Sequence, residues 1–492
     1  AVALHRAAPV PEGRAVERAA AAAPPLRPSR PSGFALGFWL LAAELALLAM
    51  GFAIAGPLYA AAIALASAYF LLAFRSPELA WALVWIAFPF SVEVVFGGGS
   101  AISLPTEPMI ALALAAWVLR SVAAGSLRIP RSPLNLPLAV VAGIALASVA
   151  LSAHRIDGLK AWVVAAAYAA FGYLYLLCNR CDPARRERWI RLAVITAALW
   201  GAYGSLRVFL LGATPRPAYG IARPFFPEHG TYAAYLAMVL PLALLCALER
   251  RGRGRLGYAA AAFAIALGIT LSFTRAAWVS LVVVIPITAI LWAWWRGAWR
   301  KLLLPAGVAW MIAVVVFAVG ATRSLSRHAE SVVSVENISN LERVNRWMAA
   351  AEMAKDRPWW GVGYGAYPKA YPEYRRKLIV TEFSYQYMGP HSEPLRLLAE
   401  VGVPGFLAAL WFLGVAASTG MRVFRQSRDP DRRFLSLAVV AGLATYAVHG
   451  LFNSYLGYDK VTVPFWIGLG TIAALNRSEA GETGRTESVP PA

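Results

Sequence analysis

Long apolar runs recur along this chain, and runs of about 18 or more residues are long enough to cross a hydrocarbon layer. A segment in lipid must satisfy its own backbone hydrogen bonds, so such runs fold as helices. Candidate spans fall near 34–53, 57–74, 79–97, 107–125, 133–152, 159–178, 189–211, 231–248, 257–273, 276–295, 302–320, 396–418, 434–456 and 461–475. Composition agrees, with 59% hydrophobic residues, 15% charged residues and a mean hydropathy of +0.57. An ordinary soluble domain carries about 25% charged residues. The alternating pattern of an outer-membrane barrel is absent. The expected fold is an all-α polytopic membrane protein with about 12–14 transmembrane helices and one long, partly helical loop outside the cytoplasm.

The formal charge of +20 would point to nucleic acid in a soluble protein. In a membrane protein it marks cytoplasmic loops instead. The loops carrying Arg75, Arg120–Arg131, Arg180–Arg188, Arg250–Arg255, Arg296–Lys301 and Arg422–Arg433 all fall on one side if each span crosses once. That side is expected to be cytoplasmic, together with the Ala/Pro/Arg-rich residues 1–32 and the polar tail 476–492, both expected to be disordered. Residues 1–32 lack the apolar stretch of a signal peptide. Residues 33–320 and 396–475 form two sets of helices around a polar segment, 321–395. Arg155, Lys160, Arg216, Arg223 and Arg275 fall on the outer side against the rule, which points to an anionic partner there. Cys178, Cys181 and Cys246 read as unpaired thiols, because the single Cys-x-x-Cys has neither a second pair nor a thioredoxin-like context. Glu44 and Glu93 fall inside expected spans, where acids are functional by default.

Within the polar segment, 340–356 reads as a helix capped by Asn340. Leu341, Val344, Trp347, Met348 and Ala351 lie on one face, with Arg343, Arg346 and Lys355 opposite. Gly361-Val-Gly-Tyr-Gly365 follows as a turn. It lacks the Lys-Ser/Thr and preceding strand of a phosphate-binding loop, so positive φ explains its glycines. Trp359, Trp360, Tyr364, Tyr367, Tyr371 and Tyr374 suit either a headgroup belt or stacking on sugar rings. His391 opens the next helix, with Ser392 as cap and Pro394 in the first turn. The positive helix end there disfavours imidazolium, leaving a neutral ring able to accept a proton.

Four stretches in this order resemble the O-antigen ligase and polymerase superfamily of bacterial envelope enzymes. They are Arg223-Pro-Phe-Phe-Pro-Glu-His-Gly230; Leu271-Ser-Phe-Thr-Arg275; Asn345-Arg346-Trp347 with Pro358-Trp-Trp-Gly361-Val-Gly363-Tyr-Gly365; and Pro390-His391-Ser392 with Leu397-Leu398-Ala-Glu400-Val-Gly402. The resemblance covers about 150–470. It implies a multi-pass enzyme of the inner membrane that serves lipopolysaccharide or cell-envelope assembly, with both termini cytoplasmic and the long loop periplasmic. It further implies transfer of a glycan from undecaprenyl pyrophosphate to a sugar hydroxyl, on lipid A–core for a ligase or on another lipid-linked unit for a polymerase.

The residue chemistry suits that reaction. Fixed arginines neutralise a departing pyrophosphate, a role expected of Arg223, Arg275 and Arg346. His391 is the expected catalytic base for the acceptor hydroxyl, or else a group that only orients it; Glu228, His229 and Glu393 are secondary candidates. The outer loops hold no Asp-x-Asp, so neither metal nor cofactor is expected, with arginine replacing a cation's charge. A flippase or transporter of lipid-linked or anionic polysaccharide is the alternative. It would call for symmetric halves or matching broken spans, which the sequence lacks. A peptidoglycan polymerase of the rod-shape type ranks lower, because it usually relies on an acid in an outer loop.

Overall fold

A computed structural model describes residues 56–96, 100–179, 182–212, 218–298, 335–375 and 388–486. The expected spans at 34–53 and 302–320, and Glu44, Arg216 and Cys181, lie outside them. The chain divides into two compact units, 1–68 and 69–492. Of the first, only the start of α1 (Pro57–Arg75) is described.

The second unit continues with α2 (Pro77–Ala87), a tight turn at Phe88–Phe90, and a hairpin of β1 (Val92–Phe96) and β2 (Ser100–Leu104). The strands pair antiparallel, Val92 opposite Leu104 and Phe96 opposite Ser100. Then come α3 (Thr106–Ala123), α4 (Asn135–Ala150), α5 (Arg155–Cys178), α6 (Pro183–Leu210), α7 (His229–Glu249), α8 (Gly252–Leu271) and α9 (Arg275–Trp295). The polar segment supplies α10 (Val335–Asp356) and α11 (Tyr367–Tyr374). The chain closes with α12 (Glu393–Gln426), α13 (Pro430–His449) and α14 (Asp459–Thr486).

Seven of the described helices (α3, α5, α6, α7, α8, α9 and α12) are long and apolar enough to cross a bilayer, and the class is all-α and polytopic. The expected span 79–97 is corrected. Pro89 and the β-branched Val92, Val94 and Val95 end the helix and form a strand, so Glu93 sits on the hairpin rather than inside a span.

Helix α7 is the hub. Of its most apolar 18 residues 78% are buried, and it packs against α6, α8, α9 and α13. Tyr232 and Tyr235 are fully enclosed, and the Tyr232 hydroxyl donates to the Trp200 carbonyl at 2.9 Å. Peripheral helices expose apolar side chains instead, among them Phe209, Leu210, Leu256 and Phe263. That is the inversion expected where lipid replaces water. Among the described residues, Cys178 and Cys246 are free thiols.

The polar segment is fastened to the helices through its glycine turn. Gly361, Gly363 and Gly365 have φ of +63°, +117° and +72°, which a side chain rarely adopts. The Val362 and Gly363 amides donate to the Ala399 and Glu400 carbonyls at 2.8 and 3.0 Å. From α4, the Ser148 hydroxyl reaches the Trp360 and Glu400 carbonyls at 2.8 and 2.7 Å, and the Ser152 hydroxyl reaches the Val362 carbonyl at 2.7 Å. Helix α12 bends at Gly402, where φ is +68° and the Val403 amide donates to the Pro358 carbonyl at 2.7 Å. The stretch Glu393–Val401 therefore belongs to the loop assembly, and the long apolar part of α12 follows the bend.

A methyl group at Gly361 would lie 2.4 Å from the Glu400 backbone. Gly361→Ala is expected to destabilise the fold by about 2–3 kcal/mol, whereas Gly257→Ala, with open space around it, is near neutral. Thermal unfolding of the two purified variants in detergent checks this. Equal melting temperatures would remove the clasp from the account.

Candidate functional site

Helix α10 begins at Val335, several residues before the expected Asn340 cap, and its faces are reversed around Arg346, whereas Lys355 is exposed as expected. Leu341, Val344 and Trp347 are exposed, while Glu342, Asn345 and Arg346 are buried with Ala349, Ala350 and Met353. The reason is charge pairing. Arg346 has 0% exposure, and its Nε lies 2.9 Å from Glu342 Oε1. Its guanidinium also stacks over the Tyr371 ring at 4.5 Å and donates to the Met388 carbonyl at 2.6 Å. The Tyr371 hydroxyl donates to the same Glu342 oxygen at 3.0 Å.

Arg346 therefore does not stand on an open face as a ligand for pyrophosphate. It ties α10 to α11 and to the segment leading into His391. The aromatic group divides likewise. Tyr367 and Tyr371 are core residues, with the Tyr367 hydroxyl on the Arg346 carbonyl at 2.9 Å, whereas Trp359 and Trp360 stay exposed.

His391 adopts φ of +53°, as does Phe273; these are the two non-glycine residues with positive φ among the described residues. Such backbone costs about 1–3 kcal/mol and persists where surrounding structure imposes it. Each lies within a sequence stretch singled out above, one beside Arg275 and the other at the entry to α12.

The His391 ring is partly accessible but enclosed by protein on most sides. Burial, followed by the charges of Arg343 and Arg346, brings its pKa from the ordinary 6.5 down to about 3. The ring is thus neutral around pH 7, able to accept a hydrogen bond and weakly basic. Arg343 was missed as a site residue, being read simply as part of a polar helix face. Its charge acts on Glu228, His229, His391 and His449 alike. Among the described residues it forms no ion pair.

The segment before α7 supplies the other side. Glu228 is the residue preceding the helix. Burial pushes its carboxyl upward, offset by Arg343, a Tyr455 hydroxyl contact and Arg223. The His229 ring packs edge-on to Tyr219 at 4.5 Å between centroids, and its carbonyl accepts from Thr274 Oγ1 at 3.4 Å. That contact brings the start of α9, and with it exposed Arg275, beside the start of α7. Arg223 is exposed, with Nε 3.3 Å from the Pro227 carbonyl.

His449, at the end of α13, is fully buried beside Tyr455, and neither ring nitrogen has a hydrogen-bond partner among the described residues. A lone histidine closing an apolar helix was a readable signal.

Glu393 is buried and fully engaged in hydrogen bonds. Its oxygens accept from Tyr446 Oη at 2.7 Å, the Leu456 amide at 3.0 Å and Arg396 Nε at 2.7 Å. Arg396 bridges onward to Glu400 at 2.7 Å. This chain of charges latches the start of α12 to the α13–α14 connection.

A cavity of about 570 Å³ opens beside these groups. The β1–β2 hairpin, α5, Arg223, the glycine turn, Gly389 and the α13–α14 loop line it. Five basic side chains (Lys160, Arg223, Lys369, Arg396, Lys460) face five acids (Glu93, Glu107, Asp157, Glu400, Asp459). The cavity is polar rather than strongly positive. Buried Lys460 donates to the Phe88 and Ser91 carbonyls at 2.6 and 2.9 Å and fixes one wall. His391 does not line the cavity; Gly389, two residues earlier, does.

Residues 259–410 match the protein family described as O-Antigen ligase. Over this segment the chain is similar to the O-antigen ligase family. No curated protein matches the chain. The O-antigen ligase match runs from α8 into α12 and contains Arg275, Arg346, His391 and Glu393, while Arg223, Glu228 and His229 precede it. It supports a membrane glycosyltransferase-type role.

The depressed His391 pKa has a definite sign. An unfolded chain takes up this proton near 6.5 and the folded chain near 3, so stability falls as pH drops through that window and is unaffected above it. His391→Gln is expected to lose less melting temperature than wild type between pH 7 and pH 5. Parallel melting curves for the two proteins would contradict the burial of this ring.

Proposed function

We propose that this protein transfers a glycan from undecaprenyl pyrophosphate to a sugar hydroxyl on the periplasmic face of the inner membrane. The observation that carries the proposal is the placing of Arg223 in the wall of a polar cavity, with the Thr274–His229 contact setting the start of α9, and Arg275, beside the start of α7. Arg275 and His391 lie within the O-antigen ligase match and Arg223 precedes it.

In the proposed step the acceptor oxygen forms a bond to the anomeric carbon. The bond from that carbon to the pyrophosphate oxygen breaks, and its electron pair leaves with the pyrophosphate. Attack opposite the leaving group inverts the anomeric centre. Arg223 and Arg275 neutralise the growing negative charge, which is where fixed donors contribute most. Neutral His391 receives a hydrogen bond from the acceptor hydroxyl and takes its proton as the new bond forms. Its low basicity makes orientation its larger contribution. Arg346 positions the segment before His391 through Met388, and burial, reinforced by Arg343, keeps the ring uncharged. Glu228, with its raised pKa, is the second candidate for the proton. Exposed Leu341, Val344 and Trp347 give α10 an apolar face to rest against lipid. Exposed Trp359 and Trp360 suit sugar stacking or the headgroup layer.

The test supplies purified full-length protein with an undecaprenyl-pyrophosphate-linked glycan and either lipid A–core or a second lipid-linked unit. New glycosidic product is expected with one acceptor, which also separates ligase from polymerase. His391→Ala and Arg275→Ala are expected to lose about 10²–10³-fold in rate while remaining folded. Unchanged transfer by both variants would refute the mechanism. Movement of the lipid-linked glycan across vesicles without any new bond would favour a flippase.

A further inference from the structure

A second and larger cavity, of about 1070 Å³, lies at the other end of the same helices. It is lined at the start of α13 by Asp429, Arg432 and Leu435, whereas the polar cavity is lined beyond its end by Ser454 and Leu456. A helix of 20 residues spans about 30 Å, so the charged end of this cavity lies roughly a hydrocarbon thickness from the polar cavity, while its apolar wall reaches inward to Leu443 and Pro464. The volume is near the upper end of the roughly 300–1,000 Å³ seen for small-molecule sites.

The wall of this cavity is strongly two-sided. Trp85, Met238, Leu242, Leu443, Pro464 and Ile467 make an apolar interior. Five arginines stand at the other part of the lining: Arg131, Arg185, Arg186, Arg432 and Arg477. Three are neutralised. Arg185 pairs with Glu78 and, at 3.5 Å, with Asp182. Arg186 and Arg432 share Asp429 at 3.4 and 3.2 Å, and Arg432 also reaches Glu479 at 2.9 Å.

The other two are not. Among the described residues neither Arg131 nor Arg477 has a carboxylate within ion-pair distance. Half-buried Arg477 spends its Nη1 on the Leu177 carbonyl at 2.7 Å and the Cys178 carbonyl at 3.5 Å. Backbone carbonyls orient a guanidinium without cancelling its charge. A fixed cation beside an apolar wall is costly unless an anion joins it, and water leaves the apolar wall unsatisfied. One molecule meets both demands: an anion with a hydrocarbon tail.

We infer that this cavity binds an anionic phospholipid, with its phosphate at Arg131 and Arg477 and its acyl chains along the apolar wall. The bilayer leaflet at this end supplies the lipid, and these loops are the ones marked by runs of arginine. The site involves no glycan transfer and is independent of the reaction proposed above. A lipid seated there bridges α6, α13 and α14 at the end remote from the polar cavity.

The test uses full-length protein purified in detergent, washed free of lipid, and mixed with micelles of phosphatidylglycerol, phosphatidylcholine or undecaprenyl monophosphate. Retained lipid is counted by native mass spectrometry. Phosphatidylglycerol is expected to bind about tenfold more tightly than phosphatidylcholine, and Arg477→Gln to erase that preference. Val439→Trp, which fills the apolar part without touching an arginine, is expected to lower retention of both phospholipids. Equal binding of the two phospholipids would overturn the inference, and so would wild-type retention by both variants. Preferential capture of undecaprenyl monophosphate would overturn it in favour of a carrier-lipid site.

Discussion

The clasp on the glycine turn is the contact from which the outer assembly follows. Gly361–Gly365 runs against α4 and α12 so closely that main-chain groups meet directly, at 2.8 and 3.0 Å for the Val362 and Gly363 amides. A Cβ at Gly361 or Gly363 would collide with Glu400 or Ser152. Once the turn is seated, α10 and α11 are held over the ends of the helices, and the segment carrying His391 enters α12 at a fixed place. The backbone satisfies itself against neighbouring backbone and serine hydroxyls, so the seam does not leave polar groups stranded at an apolar boundary.

Buried charge completes the arrangement. Glu342 and Arg346 form one pair beneath α10; Glu393, Arg396 and Glu400 form a chain at the start of α12. Buried ion pairs are weak evidence for stability by themselves, but removing one partner leaves an uncompensated charge. These pairs therefore define one geometry strongly. Arg346 reaches Met388 and Glu393 reaches Leu456, so the two networks grip the His391 segment from both directions. The left-handed backbone at His391 is the strain such a grip can sustain.

Much of the architecture was legible before any coordinates. Lipid-crossing helices announce themselves through length and apolarity, and α3 and α5–α9 lie close to their expected positions. The hairpin at 92–104 was not legible, because a run of apolar β-branched residues reads equally as strand or buried helix. The reversal of α10 has a different cause. Periodicity assumes that apolar residues turn inward, but next to a membrane Leu341, Val344 and Trp347 can face outward while Glu342 and Arg346 pair inside. His391, Arg223 and Arg275 were visible through their motifs. Arg343 was not, since it looked ordinary within its own segment, and His449 was overlooked although its place at the end of an apolar helix was readable.

The sequence by itself determined the class, an all-α membrane protein, because the lengths and polarity of its runs are imposed by the bilayer. It also determined the three glycines of the clasp as a turn, because their chemistry is local. Only the tertiary structure decided which charged residues are spent on one another and which remain for a ligand. Arg346 and Glu393 are spent on partners 42 and 53–63 residues away, and Arg343 gathers groups from three distant segments. Electrostatic interaction depends on distance in space and on burial, and neither is written in the order of residues along the chain.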